Sequence, residues 1–181
     1  MKNSYINLYE SLLQQSLLVP ELVSKSSRKD LDFLPSLDAW LLDTEKIMKD
    51  NKISKCAEIA GLRSRIIVAG YPENSKISKR KRQFSVATTI IDEAQTTVLS
   101  VLEPIENRID ETKGALRQLL GVAYQAGMID KSLEFNEMIQ KLWASFSAHE
   151  QLRGAIANIL VLVNQSDALR LLADEIDFSM I

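Results

Sequence analysis

Residues 84–127 read FSVATTIIDEAQTTVLSVLEPIENRIDETKGALRQLLGVAYQAG, and this stretch decides the fold. Val86, Ile90, Ala94, Val98, Val101, Ile105, Ile109, Leu116, Leu119 and Ala123 fall three, four or seven residues apart, so they share one side of a 3.6-residue helix. Gly127 is the expected stop. Inside the stretch, Ser100-Val101-Leu102-Glu103 has the form of a capping box, which would put Pro104 in the tolerant first turn of a new helix. One long helix and two helices kinked near Ser100 both satisfy the pattern. At about 1.5 Å per residue, about 40 residues reach about 60 Å, more than a bundle of this size needs. Such a helix either folds back near Ser100 or offers surface to another chain.

Helical signals continue downstream. Asp130 and Ser132 are candidate caps for a helix carrying Leu133, Phe135, Met138, Ile139, Leu142, Trp143 and Phe146, where the aromatics read as core. Ser147-Ala148-His149-Glu150 is a second capping-box pattern, followed by Leu152, Ile156, Ile159, Leu160 and Val163 at helical spacing. Ser166-Asp167 opens a short amphipathic tail with Leu169, Leu172 and Ile176.

Upstream, Leu8, Leu12, Leu13, Leu17 and Leu18 predict a first helix of about four turns that stops before Pro20. The polar stretch 24–30, bracketed by Pro20 and Pro35, reads as a loop or frayed helix. Ser36 is the expected N-cap of a second helix buried through Leu37, Trp40, Leu41, Ile47 and Met48, ending near Asp50-Asn51. The whole is an all-α protein: an antiparallel helical bundle with one long helix and a smaller helical N-terminal part. Three regions are expected: an N-terminal helical subdomain over 1–70, a basic loop or linker over 71–83, and a C-terminal bundle over 84–181.

Composition sets outer bounds. The chain has 181 residues, 46% of them hydrophobic and 25% charged, which excludes collagenous, mucin-like and disordered classes. The single Cys56 and single His149 cannot form an internal disulfide or a Cys/His zinc cluster, and a lone cysteine fits a reducing, cytoplasmic setting. The N-terminus has no signal-peptide pattern, and the longest strongly apolar run, Ile159 to Val163, is far short of the roughly 20 residues of a membrane span.

Charge is nearly balanced in total but not along the chain. Residues 51–83 hold nine basic and two acidic side chains, a net of +7, while residues 84–181 hold seven and fourteen, a net of −7. Lys76, Lys79, Arg80, Lys81 and Arg82 place five cations in seven positions, the composition of a polyanion-binding segment. The competing reading is a solvated basic face, or one that docks on the protein's own acidic bundle. Cations at a helix start oppose the macrodipole, which argues for a partner.

Beside this run, residues 52–66 look like a helix-turn-helix, with Ala57 as the small contact residue, Gly61 as the turn and Ile66 as the anchor. That resemblance implies that Arg63 and Arg65 open a recognition helix. The alternative is a simple helical corner at Gly61.

Catalytic constellations are not found in the sequence. His149 lies in a capping-box pattern, the paired acids such as Asp92-Glu93 are adjacent rather than three or four apart, and the six glycines never cluster into a phosphate loop. Glu103, Glu106 and Asp110 do share a face but have no histidine with them, which suggests a solvated acidic surface. No metal, cofactor or catalytic residue is expected. The leading expectation is a non-enzymatic interaction or assembly protein, working as a homo-oligomer or on a protein partner. The alternative is DNA or RNA binding through Arg63, Arg65, Lys76, Lys79, Arg80, Lys81 and Arg82.

Overall fold

The structure is a computed structural model that describes residues 4–71, 76–130 and 132–176. Among them are seven helices and no strand: α1 Tyr5–Ser27, α2 Phe33–Asp50, α3 Cys56–Val68, α4 Lys79–Gln125, α5 Phe135–Ala148, α6 Arg153–Leu162 and α7 Gln165–Glu175. The class is an all-α helical bundle with one long helix, α4.

Helix α4 runs unbroken through Pro104 for 47 residues. The capping box at Ser100 does not form, because Ser100 Oγ donates to the Thr97 carbonyl at 2.7 Å and accepts from Lys55 Nζ at 2.5 Å. Val98, Val101, Leu102 and Ile105 are all buried around the proline. Their combined burial outweighs the roughly 3 kcal/mol that an interior proline costs a helix. At the other end Gly127, at φ 63°, closes the helix: Met128 N–H donates to the Ala123 carbonyl and Gly127 N–H to that of Tyr124.

The chain divides into two compact units within α4. One comprises the described parts of 8–104, the other those of 1–7 and 105–181. In the first, α1 and α2 run antiparallel, since Trp40 Nε1 donates to the Gln15 carbonyl at 2.8 Å and Lys25 Nζ to Ser36 Oγ at 3.0 Å. Helix α3 packs on α2, and the opening turns of α4 close the unit through an edge-to-face contact of Phe84 with Phe33, 4.9 Å between ring centres. Leu12, Phe33, Leu41, Met48, Ile59 and Ile90 are sealed in its core.

Three sequence expectations are overturned in this unit. First, α1 does not stop at Pro20. It continues to Ser27 because Val19, Leu22 and Ser26 prolong the buried face begun by Leu8 and Leu12, while Leu17 and Leu18 are exposed. The stretch expected as a loop or frayed helix is therefore helical to Ser27, and α1 closes on Lys29, a residue at φ 55°, with Asp30 N–H donating to the Lys25 carbonyl. Second, Ser36 is not an N-cap, because α2 begins three residues earlier at Phe33 and Ser36 N–H already donates to the Asp32 carbonyl. Lys52, at φ 60°, closes α2 as Lys29 closes α1.

Third, there is no helix-turn-helix and no corner at Gly61. Helix α3 is a single rod through that glycine, with Ile59, Leu62 and Ile66 buried on one face. A glycine costs a helix interior about 1 kcal/mol, less than the burial of any one of those three side chains.

In the second unit α5, α6 and α7 pack on one another, with Phe146, Ile159, Val163 and Leu172 fully buried. Neither expected capping pattern starts a helix here. Ser147 Oγ donates to the Trp143 carbonyl within α5, and exposed His149 ends that helix rather than opening the next. Asp130 lies outside α5, accepting from Ser132 N–H, Ser132 Oγ and Lys141 Nζ. These bonds, led by the Ser132 hydroxyl, hold its carboxyl well down, at about 2.

The N-cap of α7 is Asn164, whose side chain accepts from Asp167 N–H at 2.8 Å. Asp167 itself is 3% exposed and reaches the start of the chain. Its carboxylate accepts from Ser4 Oγ at 2.6 Å and from Tyr5 N–H at 2.7 Å, while Ser4 Oγ caps α1 by accepting from Asn7 N–H. No single helix among the described residues is long and apolar enough to cross a membrane.

Candidate functional site

The seven cations singled out by sequence do not form one site. Arg63 Nε donates to Asp38 on α2 at 2.7 Å, and Arg65 grips Glu93 with two bonds of 2.5 and 3.1 Å. Each pairing raises the guanidinium pKa through its carboxylate hydrogen bond, and Glu93 is lowered in return by Arg65. Glu93 lies twelve residues beyond Lys81, about 18 Å along the helix. Both arginines thus serve α3 packing and stand apart from the basic run.

Arg82 is also turned inward. Its guanidinium donates to the Ala69 and Gly70 carbonyls, each at 3.0 Å, and to that of Ile77. Gln83 Nε2 adds a bond to the Ile66 carbonyl at 3.2 Å, so the opening turn of α4 satisfies the free carbonyls at the end of α3. A side chain at Gly70 would meet Lys79 Cε at 2.9 Å and the Ile67 carbonyl at 3.1 Å. A methyl there would push the end of the Lys79 side chain aside and crowd the Ile67 carbonyl.

The remaining cations gather at the start of α4. Ser78 caps it by accepting from Arg82 N–H on its carbonyl and, at 3.4 Å, from Lys81 N–H on its hydroxyl. Lys79, Arg80, Lys81 and Arg82 then occupy the first turn, which holds no acidic residue. Four positive charges against the positive end of the dipole disfavour the isolated helix. Lys79 Nζ rests over the exposed Tyr71 ring, 5.1 Å from its centre. Arg80 donates to the Leu31 carbonyl at 3.0 Å and thereby holds the α1–α2 turn against α4. Lys76 and Lys81 are exposed and make no ion pair among the described residues.

That turn completes an open groove of about 520 Å³ lined by Lys29, Leu31, Arg80, Lys81 and Phe84 with Ser78 and Ser85. Leu31 is 70% exposed at its lip, and half-buried Phe84 gives an apolar floor anchored on Phe33. The sequence showed the cations on α4 but missed Lys29, Leu31 and Phe84 as their neighbours. The basic pair Arg28-Lys29 was visible, yet its place beside Arg80 follows from where α1 ends.

Cys56 is half-buried at the start of α3, and neighbouring Lys55 donates to Ser100 Oγ. Among the described residues no group of three His, Cys, Asp or Glu side chains is placed to hold a metal. No protein family matches this sequence, and neither a curated protein nor a solved structure matches it at a significant level.

Proposed function

We propose that this is a non-enzymatic helical interaction protein of a reducing compartment, which works by binding other macromolecules through the groove at the start of α4. The observation that carries this reading is the concentration of Lys29, Arg80 and Lys81 around exposed Leu31. Stacking like charges at the positive end of a helix is unfavourable for folding alone, and a partner's negative charge relieves it.

Homo-oligomerisation belongs to the same proposal and is supported by Leu17 and Leu18, adjacent and exposed on α1. Nucleic-acid binding is the competing reading. Its support is the exposed pair Lys76 and Lys81, but Arg63, Arg65 and Arg82 are engaged within the protein.

The deciding experiment measures anisotropy changes of labelled polyglutamate, RNA and duplex DNA with the full chain and with Lys81→Glu at low salt. Binding of at least one polyanion that falls in the variant supports the groove as the working surface. Binding indifferent to the variant, or none at all, overturns it. A strict monomer at micromolar concentration in analytical ultracentrifugation overturns the assembly part alone.

A further inference from the structure

The geometry points to an acidic protein segment carrying a large apolar side chain as the occupant of the groove between the α1–α2 turn and the first turn of α4. This rests on the reading of that groove as the working surface, and goes further by naming the partner's chemistry.

Charge complementarity is the first argument. Lys29, Arg80 and Lys81 surround the cavity, and the amide end of α4 adds its own positive potential, so the rim favours carboxylates. The second argument is the floor. Phe84 presents apolar surface at the floor and Leu31 at the lip, beside the lining cations, and an open groove of about 520 Å³ takes a leucine or phenylalanine side chain with room for its neighbours. A partner bearing charge alone would leave that surface wet.

Nucleic acid fits less well. A single strand needs cations that follow its backbone and flat faces on which bases stack. Here the cations share the groove with apolar Leu31 and Phe84, Leu31 offers no flat face, and the Phe84 ring is already held edge-to-face by Phe33. The three arginines that would extend a phosphate track point to Asp38, Glu93 and the end of α3.

The test uses the full chain and two fluorescein-labelled peptides, one of glutamates with leucines at helical spacing, the other with each leucine replaced by alanine. An oligothymidine and phosphatidylserine vesicles complete the panel. The leucine peptide should bind, more weakly at high salt, and the alanine peptide about tenfold more weakly, as expected for loss of a buried leucine contact. In the protein, Leu31→Ala should weaken the leucine peptide severalfold while leaving the alanine peptide unchanged. Its exposed position should leave the thermal midpoint unaltered, and Lys81→Gln should weaken both peptides.

Equal binding of the two peptides, or indifference to Leu31→Ala, overturns the inference. Tighter Lys81-dependent binding of oligothymidine or vesicles overturns it while leaving the groove as the working surface. No binding by any probe overturns both.

Discussion

Replacing Asp167 by alanine is expected to cost the unit built from α5 to α7 about 3 kcal/mol. The carboxylate is almost wholly buried and receives two short bonds from the chain's start, 2.6 Å from Ser4 Oγ and 2.7 Å from Tyr5 N–H, with Asn164 Nδ2 at 3.3 Å. A hydrogen bond to a charged group contributes about 1.5 to 3 kcal/mol, and the two principal bonds go to the two oxygens of one carboxylate, so their losses add only in part. The figure has an upper bound, because residues 4–7 can detach once the anchor is gone, and the further loss is then about the burial of Ile6.

Urea unfolding followed by far-UV circular dichroism measures the effect, and thermal unfolding should show a fall of about 10 °C. Asp167→Asn keeps the volume and an acceptor, and should lose about half as much. Native-state hydrogen exchange should show the Tyr5 amide losing protection before those of α5. A double-mutant cycle with Ser4→Ala should return a coupling of about 1 kcal/mol. If Asp167→Ala costs no more than the surface change Asp174→Ala, or the cycle shows no coupling, the buried clasp is refuted.

Three further outcomes are expected. Gly61→Ala should stabilise the protein by about 0.5 to 1 kcal/mol in the same urea assay, since a methyl there meets nothing within 4 Å; destabilisation would restore a turn at Gly61. Lys29→Gly and Lys52→Gly should each stabilise by up to about 1 kcal/mol, relieving the left-handed backbone that closes α1 and α2, whereas a loss in both would contradict those closures. The Asp130 carboxyl should titrate near 2, rather than at its ordinary 3.8, in a carbon-detected NMR titration. Because its folded value is depressed, its favourable contribution is present above about pH 4 and disappears as pH falls toward 2, so Asp130→Asn should flatten acid unfolding in that window. An ordinary value in intact protein would show that the Ser132 and Lys141 bonds do not persist in solution.

Much of the architecture was legible because helical period is a local property. The stripe from Val86 to Ala123 marked a helical stretch ending at Gly127, with a kink near Ser100 left open. Trp40, Trp143 and Phe146 are buried as their spacing implied. Of the candidate groove, only the cations of the first turn of α4 could be read, since charge runs are visible in sequence but their partners are not. Lys79 to Arg82 look alike in the sequence, yet Arg82 closes α3 and Lys81 makes no ion pair among the described residues.

What the sequence by itself determined, then, is the all-α class, the helical stripe from Val86 to Ala123 and the placement of net charge, because these follow from spacing and composition. Only the tertiary structure decided whether helices cross Pro20, Gly61 and Pro104, which they do. The local penalties of about 1 to 3 kcal/mol are of the same size as one or two buried side chains, so packing on neighbouring helices sets the outcome. Tertiary structure also decided which arginines are occupied and that Asp167 clasps Ser4 across 163 residues of sequence. Such pairings depend on where the helices meet, and no local pattern encodes that meeting.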